Sequence, residues 1–204
     1  MKNKPITLIF TGASGAAYGL RLLEYLVSQK KTLIVLMSDP AKMVINMETE
    51  LKIPNQSGAT EAYLTKWYNA APGQITFFSN QQWMAPIASG SGVSDHTVVC
   101  PCTTGTLSAI ANGSSHSLIE RAADVAIKER KTLILVVRET PFSSIHLENM
   151  LKLSNNGVII LPANPGYYNN PKSVADIIDF VVSRILDQLN IEHDLMPVWG
   201  ESNS

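Results

Sequence analysis

A single doubly wound α/β domain with a mostly parallel sheet is the fold class this chain predicts, on three observations. Apolar runs of four to six residues alternate with segments of helical period from end to end. The runs are apolar throughout rather than apolar and polar in turn, as strands covered on both faces are. The 204 residues suffice for one domain with its own core.

Ile6 to Phe10 reads as the first buried strand. Thr11 to Gly15 is a tight turn, and Ala16, Leu20, Leu23 and Val27 recur at helical spacing. Leu33 to Met37 is a second strand, stopped by Ser38, Asp39 and Pro40, with a helix over Ala41 to Met47. Residues 53–60 are polar with Pro and Gly and read as a loop, and Glu61 to Tyr68 reads as a helix. A short strand is expected at Ile75–Phe78 within a mixed stretch that reaches Asp95. Thr97 to Cys100 is a strand, followed by helices over Gly105 to Ala111 and Leu118 to Glu129. Thr132 to Val137 is a strand, Ser143 to Leu153 a helix ended before Gly157, and Val158 to Leu161 the last strand. A Pro-punctuated loop holds Tyr167 and Tyr168. The final helix carries an apolar stripe from Val174 to Leu189, with Ser173 as its N-cap and Asp176 three residues on. The core is expected over about 5–190, with a tail over 191–204.

Bulk properties remove several function classes. The formal net charge is −1, which favours neither nucleic acid nor an anionic membrane. No apolar stretch reaches the ~18 residues of a membrane span, and no signal-peptide pattern is present, so a cytoplasmic location is expected. Charged residues make up 16%, low for a soluble surface, which points to burial against other subunits. Cys100 and Cys102 are separated only by Pro101, and no disulfide is expected between them. His96, His116, His146 and His193 are scattered without ligand spacing, so no metal site is expected.

Ligands of open α/β sheets bind beyond the carboxyl ends of strands, so residues there carry the functional argument. Gly12, Ala13, Ser14 and Gly15 form the first such turn, where a helix start favours a phosphate. The dinucleotide fingerprint is missing, because Ser14 stands where its second glycine belongs. For Gly12 alone, binding and packing are equally good explanations, and Ser14 tips the turn toward binding, since its hydroxyl can reach a ligand atom. Ser38 suits a phosphate or ribityl hydroxyl, or else caps the helix ahead of Pro40. Ser89-Gly90-Ser91-Gly92 is rich in donors, and Thr103, Thr104, Gly105 and Thr106 open a helix as a second anion nest. Arg121, Lys128, Arg138 and Arg184 form a cationic set with Tyr168 as a hydroxyl donor. Alone, Arg184 reads as a snorkelling surface side chain. Arg138 and Glu139 are delivered together by the strand that ends at Val137. Glu48 and Glu139 are candidate proton carriers, although spacing alone makes Glu48 a solvated helix end. Trp83 is either core or a π-face for a ligand.

These segments together resemble the UbiX family, the flavin prenyltransferases. The resemblance rests on residues 11–19, Trp83, residues 88–91, 101–107, 121–124, 128–130, 138–141, 146–150 and 165–168, with Arg184. It covers nearly the whole chain in order, and its joint pattern is specific though each piece is weak. It implies a Rossmann-like flavoprotein fold and transfer of a dimethylallyl group from dimethylallyl phosphate to N5 and C6 of reduced FMN, without a metal. The product, prenylated FMN, would serve a UbiD-type decarboxylase, and the assembly would be a homododecamer. By the same resemblance Gly12, Ala13, Ser14, Ser38, Thr103, Thr104, Gly105, Thr106 and Arg138 would hold FMN. Lys128, Arg138, Tyr168 and Arg184 would hold the donor's phosphate, with Arg121, Ser89 and Gly90 lining the donor site. Arg184 and part of the Tyr168 loop would come from a neighbouring subunit. Ser14, Glu48, Glu139 and Trp83 would act in catalysis. Two other readings stand beside this one. An FMN-dependent cysteine decarboxylase of the related fold would carry an early catalytic His and a Pro-Ala-Ser-Ala-Asn-Thr-like segment. The first His here is His96, and the corresponding stretch is Pro-Cys-Thr-Thr-Gly-Thr. A flavin-storage protein would leave the phosphate set without a purpose.

Overall fold

The computed structural model describes residues 4–197. Six strands form one parallel sheet: β1 (Ile6–Phe10), β2 (Leu33–Met37), β3 (Ile75–Ser79), β4 (His96–Cys102), β5 (Thr132–Val137) and β6 (Ile159–Ile160). Their order across the sheet is β3-β2-β1-β4-β5-β6. Seven helices connect and cover them: α1 (Ala16–Ser28), α2 (Asp39–Glu48), α3 (Ser57–Trp67), α4 (Thr104–Ala111), α5 (Leu118–Lys128), α6 (Ser144–Asn155) and α7 (Val174–Gln188). A single 3-10 turn spans Pro86–Ala88.

Strand side chains alternate between two cores, which is why the runs are apolar throughout. In β1, Leu8 and Phe10 join α1, α2 and α7 on one face. Its neighbour Ile9 joins Leu36, Val99, Leu135 and the α4–α6 layer on the other. All five residues of β1 and of β2 are buried. The tight approach of α1 depends on Gly19, where a Cβ would lie 2.3 Å from the Cys100 carbonyl oxygen. Ser143 and Ser173 each close a capping box at the start of α6 and α7.

Several boundaries differ from those expected. α3 begins at Ser57, so only 53–56 of the expected loop is irregular before it. β4 runs on through Pro101 to Cys102, with a register shift against β5 between Val99 and Cys102. Such an irregularity is where a strand tolerates a residue without an N–H. β6 is only two residues long. The α7 stripe is buried from Val181 onward, while Val174 in the first turn is 72% exposed. The tail is ordered as far as described: Ile191 and Leu195 pack on the core. Its expected remainder, 198–204, lies outside the described residues. Both cysteines are free and buried. Burial pushes the Cys102 thiol up to about 12 and the Cys100 thiol further, so neither serves as a nucleophile.

Candidate active site

The strand order reverses direction between β1 and β4, the switch point where such sheets bind ligands. Thr11 ties the two strand ends together. Its Oγ1 donates to the Pro101 carbonyl at 2.7 Å and accepts from the Thr103 amide at 2.9 Å. Sequence reasoning did not single out Thr11; the only signal was a hydroxyl directly after an apolar strand.

Along this edge the structure gathers the Gly12–Ser14 turn, Ser38, Glu48, Thr103–Thr106, Arg138 and Glu139. Gly15 adopts φ 101°, a left-handed conformation suited to glycine, and has no side chain to cap α1. The cap comes from Glu48 at the far end of α2. Its Oε2 accepts from the Gly15 amide at 2.9 Å and the Ala16 amide at 3.0 Å. A carboxylate at a helix carboxyl end is opposed by that helix's dipole, and here the start of α1 offsets this. Burial pushes the Glu48 carboxyl up, but hydrogen bonds from Ser14, Gly15 and Ala16 and the charge of Arg138 outweigh it. The net effect holds Glu48 below the usual carboxylate range. The sequence suggested a phosphate at this helix start; in this structure the anion there is the protein's own carboxylate. Gly12 is explained by packing, since a Cβ there would lie 2.5 Å from Pro40 Cβ. Ser38 caps α2, its Oγ accepting from the Ala41 amide at 3.1 Å.

The start of α4 is different. Thr103 Oγ1 accepts from the Thr106 amide at 3.0 Å and from the Thr106 hydroxyl at 2.9 Å. The amides of Thr104 and Gly105 belong to the orphan set that every helix start carries. A Cβ on Gly105 would meet nothing nearer than Thr103 Oγ1 at 3.9 Å, so the space above it is open. Arg138 leaves the end of β5 with its Cγ 3.9 Å from where a Gly15 Cβ would be. Its Nε is buried and has no hydrogen-bond partner among the described residues. An unpaired buried guanidinium N–H beside an open helix start fits an anionic, carbonyl-bearing ligand such as FMN. Tyr18 packs against this group. Burial, Cys100 and Tyr167 raise its phenol and Arg138 lowers it, with a net rise. It too was missed: it lies within residues 11–19, but nothing local marks it as a site residue. Glu139 turns back, its Oε1 accepting from the Thr140 amide at 3.1 Å.

The remaining expected residues lie elsewhere in the same chain. Lys128 ends α5 just before β5, while Arg138 follows it, so the six residues of β5 separate them by about 20 Å. Within one chain, therefore, Lys128 and Arg138 do not share a phosphate. Lys128 pairs with Glu129 instead, and both press on Gly90, where a Cβ would lie 2.2 Å from Glu129 Oε1. Arg121 Nε donates to the Ala88 carbonyl at 3.0 Å, and its Nη1 pairs with Asp124 at 2.9 Å. Ser89 Oγ lies 3.4 Å from Ser91 Oγ on the same loop. Trp83 is 41% exposed, beside Met84 at 97%. Tyr168 and Arg184 do meet: they line one cavity of about 290 Å³, where the Tyr168 ring stands edge-on to Phe180. Among the described residues, no group of three or more His, Cys, Asp or Glu is placed to hold a metal ion.

A family model described as Flavoprotein matches residues 1–186. Flavin prenyltransferase UbiX of Pseudomonas aeruginosa is 57% identical over 198 residues, which is 97% of this chain and 95% of that protein. The crystal structure of AnUbiX (PadA1) in complex with FMN and dimethylallyl pyrophosphate superposes with a TM-score of 0.86. It is 34% identical and matches 99% of this chain and 100% of that one. A dodecameric FMN-dependent UbiX-like decarboxylase from Escherichia coli O157:H7 gives a TM-score of 0.81 at 38% identity, over 95% of this chain and 99% of that one. With the switch-point geometry and these matches together, the chain belongs to the flavoprotein family and, within it, to the UbiX flavin prenyltransferases.

Proposed function

We propose that this chain transfers a dimethylallyl group from dimethylallyl phosphate to N5 and C6 of reduced FMN, forming prenylated FMN. The observation that carries the proposal is Arg138, whose buried Nε has no hydrogen-bond partner among the described residues and lies beside the open start of α4. Reduced FMN supplies two nucleophilic positions, N5 and C6, when bound. Arg138 and the α4 amides hold its anionic and carbonyl groups, and Ser14 and Ser38 offer hydroxyls along the same edge. Glu48, kept ionised, is suited to accept a proton rather than to give one. Glu139 carries the second proton movement from the neighbouring strand end.

Departure of phosphate from an allylic carbon needs positive charge fixed where negative charge grows. Lys128, Arg184 and the Tyr168 hydroxyl, with Arg121, Ser89 and Gly90 around them, fill that role. Because Lys128 and Arg138 stand at opposite ends of β5, a shared site draws them from different copies of the chain. The dodecameric state of the relative supports assembly into a homododecamer. So do the exposed apolar side chains of Trp83, Met84, Ile145 and Leu151. In the assembly Trp83 presents its π-face to the allylic group. The recipient of the product is a UbiD-type decarboxylase. The two free thiols fit a reducing compartment such as the cytoplasm.

The test is incubation with reduced FMN and dimethylallyl phosphate, followed by mass spectrometry of the extracted flavin. A five-carbon gain is expected; an unchanged flavin with both substrates present refutes the proposal. Cysteine decarboxylation, the other reading, is favoured by no observation at the site.

A further inference from the structure

One histidine sits against the cavity that holds Tyr168 and Arg184. The face of α7 there presents Phe180, Arg184 and Asp187 at four- and three-residue spacing. Gly166 lets the Tyr168 loop lie on it, since a Cβ would come within 2.8 Å of both Phe180 and Tyr168. The opposite wall is the tail beyond α7, through His193, Met196 and Pro197. The tail is anchored: Ile191 N donates to the Leu186 carbonyl at 3.0 Å, and Tyr25 Oη donates to the Glu192 carbonyl at 3.4 Å.

Asp187 joins the two walls. Its Oδ2 accepts from Arg184 Nη1 at 2.5 Å, and its Oδ1 lies 3.1 Å from His193 Nε2. An ionised carboxylate only accepts, so Nε2 carries the hydrogen. The His193 side chain is nine-tenths buried, although the Arg184 side chain it reaches through Asp187 is 54% exposed. Its Nδ1 is buried and has no hydrogen-bond partner among the described residues. A buried, polar, incompletely satisfied ring is a poor way merely to fasten a tail that Ile191 and Leu195 already hold. A ring that fixes one oxygen of Asp187 leaves the other as a stop for the Arg184 guanidinium, on the wall of the cavity where Tyr168 lies.

We propose that His193 is a positioning residue for the donor's phosphate: acting through Asp187, it sets Arg184 and makes the 191–197 tail part of the donor subsite. The inference rests on the assignment of Arg184 and Tyr168 to that phosphate. It is tested in steady state with reduced FMN and dimethylallyl phosphate. His193→Phe keeps the ring's bulk and removes its hydrogen bond. The donor KM is expected to rise about 5-fold, the size of one hydrogen bond's loss. The FMN dissociation constant and kcat at saturating donor stay within about twofold. His193→Gln, whose amide can donate to Asp187, is expected to restore most of the donor KM. In an Asp187→Ala background, His193→Phe adds nothing further, as for residues that act in series. An unchanged donor KM in a folded His193→Phe protein overturns the proposal. So does an equal loss of FMN affinity, a His193→Gln protein no better than His193→Phe, or an effect that persists without Asp187. Arg184→Ala in the same assay separates the two levels. A raised donor KM there beside a normal one in His193→Phe removes only the role of the tail. A normal donor KM in Arg184→Ala removes the phosphate assignment itself, and this proposal with it.

Discussion

Arg138 and Glu48 meet across the switch point with opposite charge and opposite states of satisfaction. Among the described residues Arg138 keeps a buried N–H unpaired, while Glu48 is held by Ser14 and two backbone amides. Arg138→Ala is therefore expected to raise the FMN dissociation constant about 10-fold or more, the usual worth of a charge-assisted bond, with little change in thermal stability. Titration of flavin fluorescence checks it. Glu48→Gln is expected to lose about 0.5–1 kcal/mol at pH 7, a capping loss reduced because the carboxylate is exposed. The carboxyl pKa is lowered on folding, so its contribution is present above the unfolded value and disappears as pH falls through the folded one. Denaturant midpoints of the two proteins should thus differ at pH 7 and draw together as the pH falls below the ordinary carboxylate range. Arg138 was legible from sequence because a strand ending in a charge marks the ligand edge. Glu48 was not, because its partners lie 32 and 33 residues away and nothing local distinguishes it from a solvated helix end. Thr11 and Tyr18 were hidden for the same reason: their roles exist only once β1, β4 and β5 are side by side.

The starts of α4 and α1 differ in what they leave open. Both begin at the carboxyl edge of the sheet, but the start of α1 is closed by Glu48 and that of α4 stays open over Gly105. Thr103→Ala removes the α4 cap and is expected to cost about 1 kcal/mol of stability. It should also weaken FMN binding, because the same cap sets the direction of the Thr104 and Gly105 amides. Calorimetry and flavin titration on one preparation read both effects. Gly105→Ala, by contrast, meets no protein atom closer than 3.9 Å. It is expected to fold normally and to bind flavin less well, a split that marks the space as the ligand's. Strands and long helices were readable because burial on both faces leaves no choice of residue type. The losses came where an element ends for tertiary reasons. β4 continues through Pro101, since a register shift absorbs the missing N–H. The first turn of α7 carries Val174 outside the core, although its sequence continues the stripe.

A single copy of the chain keeps the proposed site residues apart. Arg138 and the α4 start occupy one end of the sheet, Lys128 and Gly90 the other, and Tyr168 with Arg184 a separate cavity. The low charge of the chain pointed to subunit contacts, and only the family resemblance placed Arg184 and part of the Tyr168 loop on a neighbouring copy, since no local pattern carries that information. Subunit complementation follows from it. Lys128→Ala and Arg138→Ala proteins, each inactive, should regain activity when dissociated and reassembled together, in about a quarter of sites if mixing is random. No recovery at all would mean the two cations act within one copy. The most direct measurement is a crystal structure of the assembled protein with FMN and dimethylallyl phosphate. The flavin should lie between the ends of β1 and β4 with Arg138 bonded to it, and Lys128 and Arg184 of different copies should close on one phosphate. A flavin bound elsewhere, or a phosphate held without those side chains, would contradict the account.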